Sequence, residues 1–449
     1  MPRRNGVITS SYISQQFLRS RSVLGVAPLL PVLLLLVMLW ESKLVQAFRT
    51  PTQLMKRQAP AALSACAAVA EDVPTRREED ERATWKGWNK TDSNSLFRRL
   101  GNPRYIAAPM VEHSEAAFRY LVRQHGCDLT FTQMLHSARF APENAHKFRE
   151  HRFDGVDEAE DRPLIAQFCG NDPDTVVRAA QHVQGVVDAV DLNLGCPQKI
   201  ARKGNYGAFL LSKPELCEKI VATMCRELSV PVTVKIRALE KDADTLDLVR
   251  RLEAAGAQML TVHGRTVRQA KTAQGAANWD IIAKVKRALT IPVVANGGVE
   301  TRADAESLLE ATGADAVMSS EGLLEDPSLF DESLTPMDQL RGEALAHRIL
   351  LLAVEYLELA RRFPTPVASI KGHLFKILYR LLECHHDLRG RLGHYEADAT
   401  VADAVVSELC ERYFFDRDTR MPLGGAPEDL RISPRRWYRR HWADSGQDM

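Results

Sequence analysis

The sequence predicts an α/β protein: a TIM (β/α)8 barrel followed by a small C-terminal helical domain. Three observations carry this. Eight short apolar runs alternate with amphipathic segments between residues 105 and 330. That span, about 225 residues, is the usual size of such a barrel. The first run opens into YIAAPMVEHSE, with no glycine-rich dinucleotide fingerprint, which an open doubly wound sheet would favour.

The runs are YIAAPM (105–110), LTFTQM (129–134), LIAQFCG (164–170), AVDLNLGCP (189–197), VTVKIR (232–237), MLTVHGR (259–265), PVVANGG (292–298) and AVMSS (316–320). Between most of them the apolar residues recur at helical spacing, as in SEAAFRYLVRQHG, DPDTVVRAAQHVQG, ELCEKIVATMCREL, TLDLVRRLEAAG, WDIIAKVKRAL and RADAESLLEATG. Gly126, Gly185, Gly256 and Gly313 stand where left-handed helix caps belong. The stretch 135–161 shows no clear helix and reads as an excursion on the catalytic rim. We place the barrel at 101–335. Helical periodicity resumes in ALAHRILLLAVEYLELARRF and IKGHLFKILYRLLECHHDLRGRL, giving a helical domain over 336–415. The tail, 416–449, contains RISPRRWYRRHW, with five Arg, two Trp and one Tyr in twelve residues. It reads either as a contact for phosphates and bases or as a solvated end.

Of 449 residues, 59 are Lys or Arg and 58 are Asp or Glu, but the balance is uneven. Residues 1–70 hold eight Lys and Arg against one acid, Glu41, leaving 51 basic and 57 acidic groups beyond. An acidic body argues against a general nucleic-acid coat, so RNA contact needs a local basic patch. Eight scattered cysteines with no C-x-x-C pair form neither a disulfide framework nor a zinc pattern, and fit a reducing compartment. Arg3, Arg4, Arg19 and Arg21 precede the uncharged run Val23–Trp40, which Ala47 follows, so 1–47 reads as a signal peptide. The run is also a marginal membrane span, and an ER-anchored protein stays open as the alternative, as does a cytoplasmic one. The basic, Ala-rich stretch after Phe48 has transit-peptide composition, and PTRREEDER adds a charged linker, so 48–100 precedes the fold, which we expect to begin near Tyr105. This two-part leader resembles those of algae whose plastids lie inside secretory membranes. We therefore expect a plastid protein without stable membrane association once mature, and a monomer.

In a barrel of this type the active site is built at the C-terminal ends of the strands, and the unusual polar residues cluster there. They are Pro109-Met110-Val111, Gln167, Asn193-Leu194-Gly195-Cys196-Pro197, Lys235 and Arg237, His263-Gly264-Arg265, Asn296-Gly297-Gly298 and Ser319-Ser320-Glu321-Gly322. Singly, each reads as a turn, a rim ion pair or a core thiol. Together they describe a site for a ligand with a phosphate and a polar ring. The Gly297-Gly298 turn and Ser320-Glu321 can present backbone N–H groups to a phosphate. Lys235 can set a cation beside a ring that becomes anionic on reduction, as flavin electronics require. His263 can donate to phosphate or substrate, Gln167 can meet the ring's carbonyl edge, and Cys196 can deliver a proton.

The segment DLNLGCPQKIARKGNYGAFL (191–210) resembles the signature of the tRNA-dihydrouridine synthases, flavoenzymes that reduce uridine in tRNA. APM (108–110), QFCGNDPD (167–174), VTVKIR, TVHGRT (261–266), VVANGGV (293–299) and MSSEGLLEDPSLF (318–330) are similar in order and spacing. The GNYGAFL and MSSEG forms look like the eukaryotic subgroup acting on D-loop positions 16 and 17. The resemblance implies FMN held by Pro109, Met110, Val111, Gln167, Lys235, His263, Asn296, Gly297, Gly298, Ser320 and Glu321. It implies hydride drawn from NADPH and delivered to uracil C6, with Cys196 protonating C5. The tRNA is the substrate, and Asn193, Arg202, Lys203, Asn205, Tyr206 and Arg265 are its candidate contacts. One departure stands out: many members have Gly-Arg where this chain has Ser320-Glu321, which removes a cation from the phosphate end.

Two other classes stay open on sequence. A free-pyrimidine reductase or dehydrogenase of dihydroorotate-dehydrogenase type would share the barrel, FMN and a thiol, but needs neither helical appendage nor basic tail. A non-catalytic RNA-binding barrel would not need Cys196, Lys235 and His263.

Overall fold

In the computed structural model, the described residues are 92, 94–155, 159–269, 275–424 and 431–439. The leader and almost all of the linker lie outside them, as do residues 440–449. Nine short strands occupy eight positions of a parallel barrel: β1 (Tyr105–Ala107), β2 (Thr130–Phe131), β3 (Leu135–His136), β4 (Leu164–Cys169), β5 (Ala189–Leu194), β6 (Val232–Arg237), β7 (Leu260–His263), β8 (Val293–Asn296) and β9 (Ala316–Ser319). The order runs β1-β9-β8-β7-β6-β5-β4-β2. A parallel bridge between Ile106 and Leu129, with Ala107 N–H donating to the Leu129 carbonyl at 3.0 Å, closes the ring. Of the expected run 129–134 only β2 is strand; β3 follows just beyond the run, and both pair with β4.

Helix starts follow local chemistry. Asp172 accepts from Thr175 N–H ahead of Pro173, Asn278 accepts from Ile281 N–H, and Thr301 and Asp304 cap each other. Gly126, Gly256 and Gly313 have the positive φ expected of them, whereas Gly185 does not, because its helix (Pro173–Gln181) ends four residues earlier.

Two further expectations need correction. The fold begins before Tyr105: Ser95–Arg99 is helical, and Leu96 and Leu100 are buried among Ile106, Leu129, Ile165 and Met259 in the barrel's interior. Five residues are too few for a periodicity to show. The excursion 135–161 contains helices Ser137–Phe140 and His146–Arg152, the second without a buried residue and therefore without an apolar stripe to read. The expected C-terminal helices are present, chiefly Gly342–Arg362, Val367–Ile377, His386–Gly393 and Ala399–Arg412, and they lie in the same compact unit as the barrel and share its core. Polar ties cross the join. Glu115 accepts from Tyr356 Oη at 2.8 Å and lies 3.0 Å from His373 Nε2, and His125 bridges Asp331 and Glu355. Among the described residues no helix is long and apolar enough to cross a membrane; the run 23–40 lies outside them.

Candidate active site

Parallel register brings the predicted residues to one end of the barrel. Asn193 is level with Lys235, Arg237 with His263, His263 with Asn296, and Asn296 with Met318. Because side chains two apart share a face of a strand, Asp191 with Asn193 and Lys235 with Arg237 point the same way.

A hydrogen-bonded chain leads from the core to the thiol. Asp191, fully buried, accepts from Thr233 Oγ1 at 2.7 Å and from Gln167 Nε2 at 2.8 Å. Gln167 Oε1 accepts from Asn193 Nδ2 at 2.8 Å, and Asn193 Oδ1 accepts the N–H groups of Gly195 and Cys196 at 3.1 and 2.9 Å. Gln167, expected at the cofactor ring, bridges Asp191 and Asn193. Asn193, expected as a substrate contact, holds the cysteine turn. Gly207 lies under that turn with φ +64°, where a Cβ would come within 2.9 Å of the Cys196 carbonyl oxygen. Burial pushes the half-buried Cys196 thiol up from its ordinary value, so it keeps its proton at neutral pH.

Beside the turn lies a cavity of about 800 Å³, lined by His263, Arg265, Asn296, Gly297, Gly298, Ser320 and Glu321 among others. Several cations are buried close together at its edge, with Glu321 also on its wall. Burial, then Arg237, pulls Lys235 down to about 7 against the opposing effect of Asp191. Burial and Arg265 draw Arg237 down to about 10. His263 is held well below its ordinary value by burial and by these three cations. Buried cations set this close together favour an anion beside them, and a phosphate-bearing ligand supplies one. Gly297 and Gly298 have φ of +114° and +86°, and a Cβ on Gly297 would lie 2.8 Å from His263 Cδ2. The backbone is bare where a ligand would approach. Lys235 Nζ donates to Asn296 Oδ1 at 2.8 Å, and Asn296 Nδ2 to the Met318 carbonyl at 2.8 Å.

The remaining candidates fall elsewhere. Pro109, Met110 and Val111 follow β1 on the rim, outside the residues lining this cavity, with Val111 exposed. Arg202 and Lys203 are exposed on the helix Lys199–Gly204. Asn205 is that helix's left-handed cap, a structural reason for its residue type. Tyr206, by contrast, is buried beside the thiol, in one apolar cluster with Cys169 and Cys196, and edge-on to His136 at 5.0 Å. Sequence reasoning left out Asp191, although a lone acid in an apolar strand marks it, and gave no role to Arg237. Tyr438, which also lines the cavity, carried no such signal. The solvated reading of the tail fails over 433–439: Tyr438 is buried, and Arg436 and Arg439 are bound to Glu325 and Glu300.

A parallel barrel whose strand ends enclose a glycine-floored cavity beside a protonated thiol defines a barrel enzyme with an acid at hand. Residues 106–410 match the dihydrouridine synthase (Dus) family, and the chain belongs to it. It is 43% identical over 332 residues to the "tRNA-dihydrouridine(16/17) synthase [NAD(P)(+)]-like" protein of Mus musculus, a match spanning 74% of this chain and 66% of the mouse protein. It is 40% identical over 317 residues to the tRNA-dihydrouridine(16/17) synthase [NAD(P)(+)] of Saccharomyces cerevisiae, covering 69% of this chain and 74% of that one. The Mus musculus "tRNA-dihydrouridine(20a/20b) synthase [NAD(P)+]-like" protein is 39% identical over 244 residues, 54% of this chain and 73% of its own.

Proposed function

We propose that this protein reduces the C5–C6 bond of uridine at positions 16 and 17 of the tRNA D-loop, with FMN as cofactor and NADPH as hydride donor. The longer match to the 16/17 relatives than to the 20a/20b relative supports the positions. The observation that carries the chemistry is the tie from Asn193 to the Cys196 turn at the edge of the cationic cavity.

FMN, when bound, supplies hydride chemistry. Gly297, Gly298, His263 and Ser320 are the groups that would hold its phosphate, with Lys235 and Asn296 toward its ring. Cys196 holds the proton destined for C5, and its raised pKa keeps the thiol loaded between turnovers. Asn193, fixed by Gln167 and Asp191, keeps the turn in place. A stacked base must be turned out of the tRNA elbow at a cost of a few kcal/mol. Exposed Arg202 and Lys203 can offset that cost through phosphate contacts.

We also propose that residues 1–70 direct the chain to a plastid, on the strength of the apolar run followed by a basic, acid-poor stretch. One experiment tests both readings: dihydrouridine mapped by mass spectrometry in tRNA from cells with and without the gene, by position and compartment. Loss at 16 and 17 in plastid tRNAs is expected. Loss only in cytosolic tRNAs overturns the address, and no loss at any position, with redundant enzymes removed, overturns the function.

A further inference from the structure

The end of the chain returns to the two loops assigned to the cofactor's phosphate. Glu300 lies two residues beyond Gly298, and Glu325 ends the short helix that begins at Glu321. Both carboxylates are buried, and both are gripped by the tail. Tyr438 N–H donates to Glu325 Oε2 at 3.0 Å, and Arg436 Nε to Glu325 Oε1 at 3.3 Å. Arg436 Nη2 donates to the Glu300 carbonyl at 2.9 Å, and Arg439 Nε to Glu300 Oε2 at 2.9 Å. Farther back, Ser433 N–H donates to the Arg380 carbonyl, and the Trp437 ring meets Tyr379 edge-on at 5.6 Å. The segment is therefore fastened at both ends.

What it presents to the cavity is Tyr438, 6% exposed, and the Arg265 guanidinium, 2% exposed, lines the same cavity and acts on its phenol. Arg265 is held from its other side by the Gly275 carbonyl, which accepts from Nε at 3.0 Å.

We propose that Ser433–Arg439 is a strap closing the phosphate end of the flavin pocket, and that Tyr438 is a positioning residue that sets the Arg265 guanidinium for the cofactor's phosphate. The proposal rests on the flavin site inferred above. It makes cofactor affinity in this chain depend on residues more than 100 positions beyond the barrel.

The test compares FMN with riboflavin, which has the ring system but no phosphate, by fluorescence titration of the flavin-free full-length protein. In Tyr438→Ala, FMN is expected to bind about tenfold more weakly, the loss of one charge-assisted contact, while riboflavin affinity stays within about twofold. Tyr438→Phe keeps the wall without the hydroxyl and should show a smaller loss, again for FMN alone. Arg436→Ala, which loosens the strap, should do the same. Unchanged FMN affinity in all three variants, or equal losses for both flavins, overturns the proposal. A wild-type protein that binds neither flavin overturns the underlying flavin reading instead. Circular dichroism melts of each variant separate these results from misfolding.

Discussion

Asn193 Oδ1 accepts the backbone N–H of Cys196 at 2.9 Å, so a strand side chain fixes the turn that carries the thiol. The same amide is held in turn by Gln167, and Gln167 by the buried Asp191. Replacing Cys196 by Ala should abolish dihydrouridine formation and leave flavin content unchanged, measured by mass spectrometry of tRNA and by absorbance. Asn193→Ala should retain the thiol but lower kcat about 100-fold, because a misplaced acid loses its alignment. Single-turnover kinetics on tRNA checks this.

Asp191 should matter for stability as well as for alignment. In Asp191→Asn, an NH2 turned toward Gln167 Nε2 faces a donor, and one turned toward Thr233 makes that hydroxyl accept and leaves its proton without the carboxylate. A buried donor left unsatisfied costs about 1–3 kcal/mol. A corresponding fall in the urea midpoint, with unchanged m-value, is the expected result.

Lys235 gives a pH dependence with a definite sign. Its folded pKa, about 7, lies below the ordinary value of 10.5, chiefly through burial. Between those values the unfolded chain binds the proton and the folded chain does not, so this group adds stability as pH rises through the window. Lys235→Met removes the contribution. The flavin-free variant should therefore melt above wild type at pH 7, with the gap narrowing toward pH 10.

Gly297→Ala tests the cavity floor. With φ at +114° and a Cβ 2.8 Å from His263 Cδ2, alanine strains the backbone and pushes on the histidine. The expected outcome is a lower melting temperature, by a cost above about 1 kcal/mol, and protein purified without flavin.

Glu115 tests the join between barrel and helices. Its carboxylate, which accepts from Tyr356 and lies against His373, is buried. Glu115→Ala should cost about 3 kcal/mol and leave one cooperative transition for barrel and helical segment together, visible by calorimetry.

The sequence alone determined the alternation of strands and helices, the eight-position barrel and the clustering of polar residues at strand ends, because these follow from local periodicity and from side chains two apart sharing a face. It also carried the Gly-Cys-Pro turn and the Gly297-Gly298 floor, since both are short-range patterns. Only the tertiary structure decided the roles that depend on partners far along the chain. Gln167 and Asn193 became supports of Cys196 because register set Asp191 and Gln167 level on neighbouring strands. Helix Ser95–Arg99 became a plug because Leu96 found the barrel's interior. Tyr438 became a wall of the cavity because two buried carboxylates, Glu300 and Glu325, drew the tail back across the barrel mouth. A buried charge is tolerated when it is paired, and nothing local to Glu300 or Glu325 names the partner.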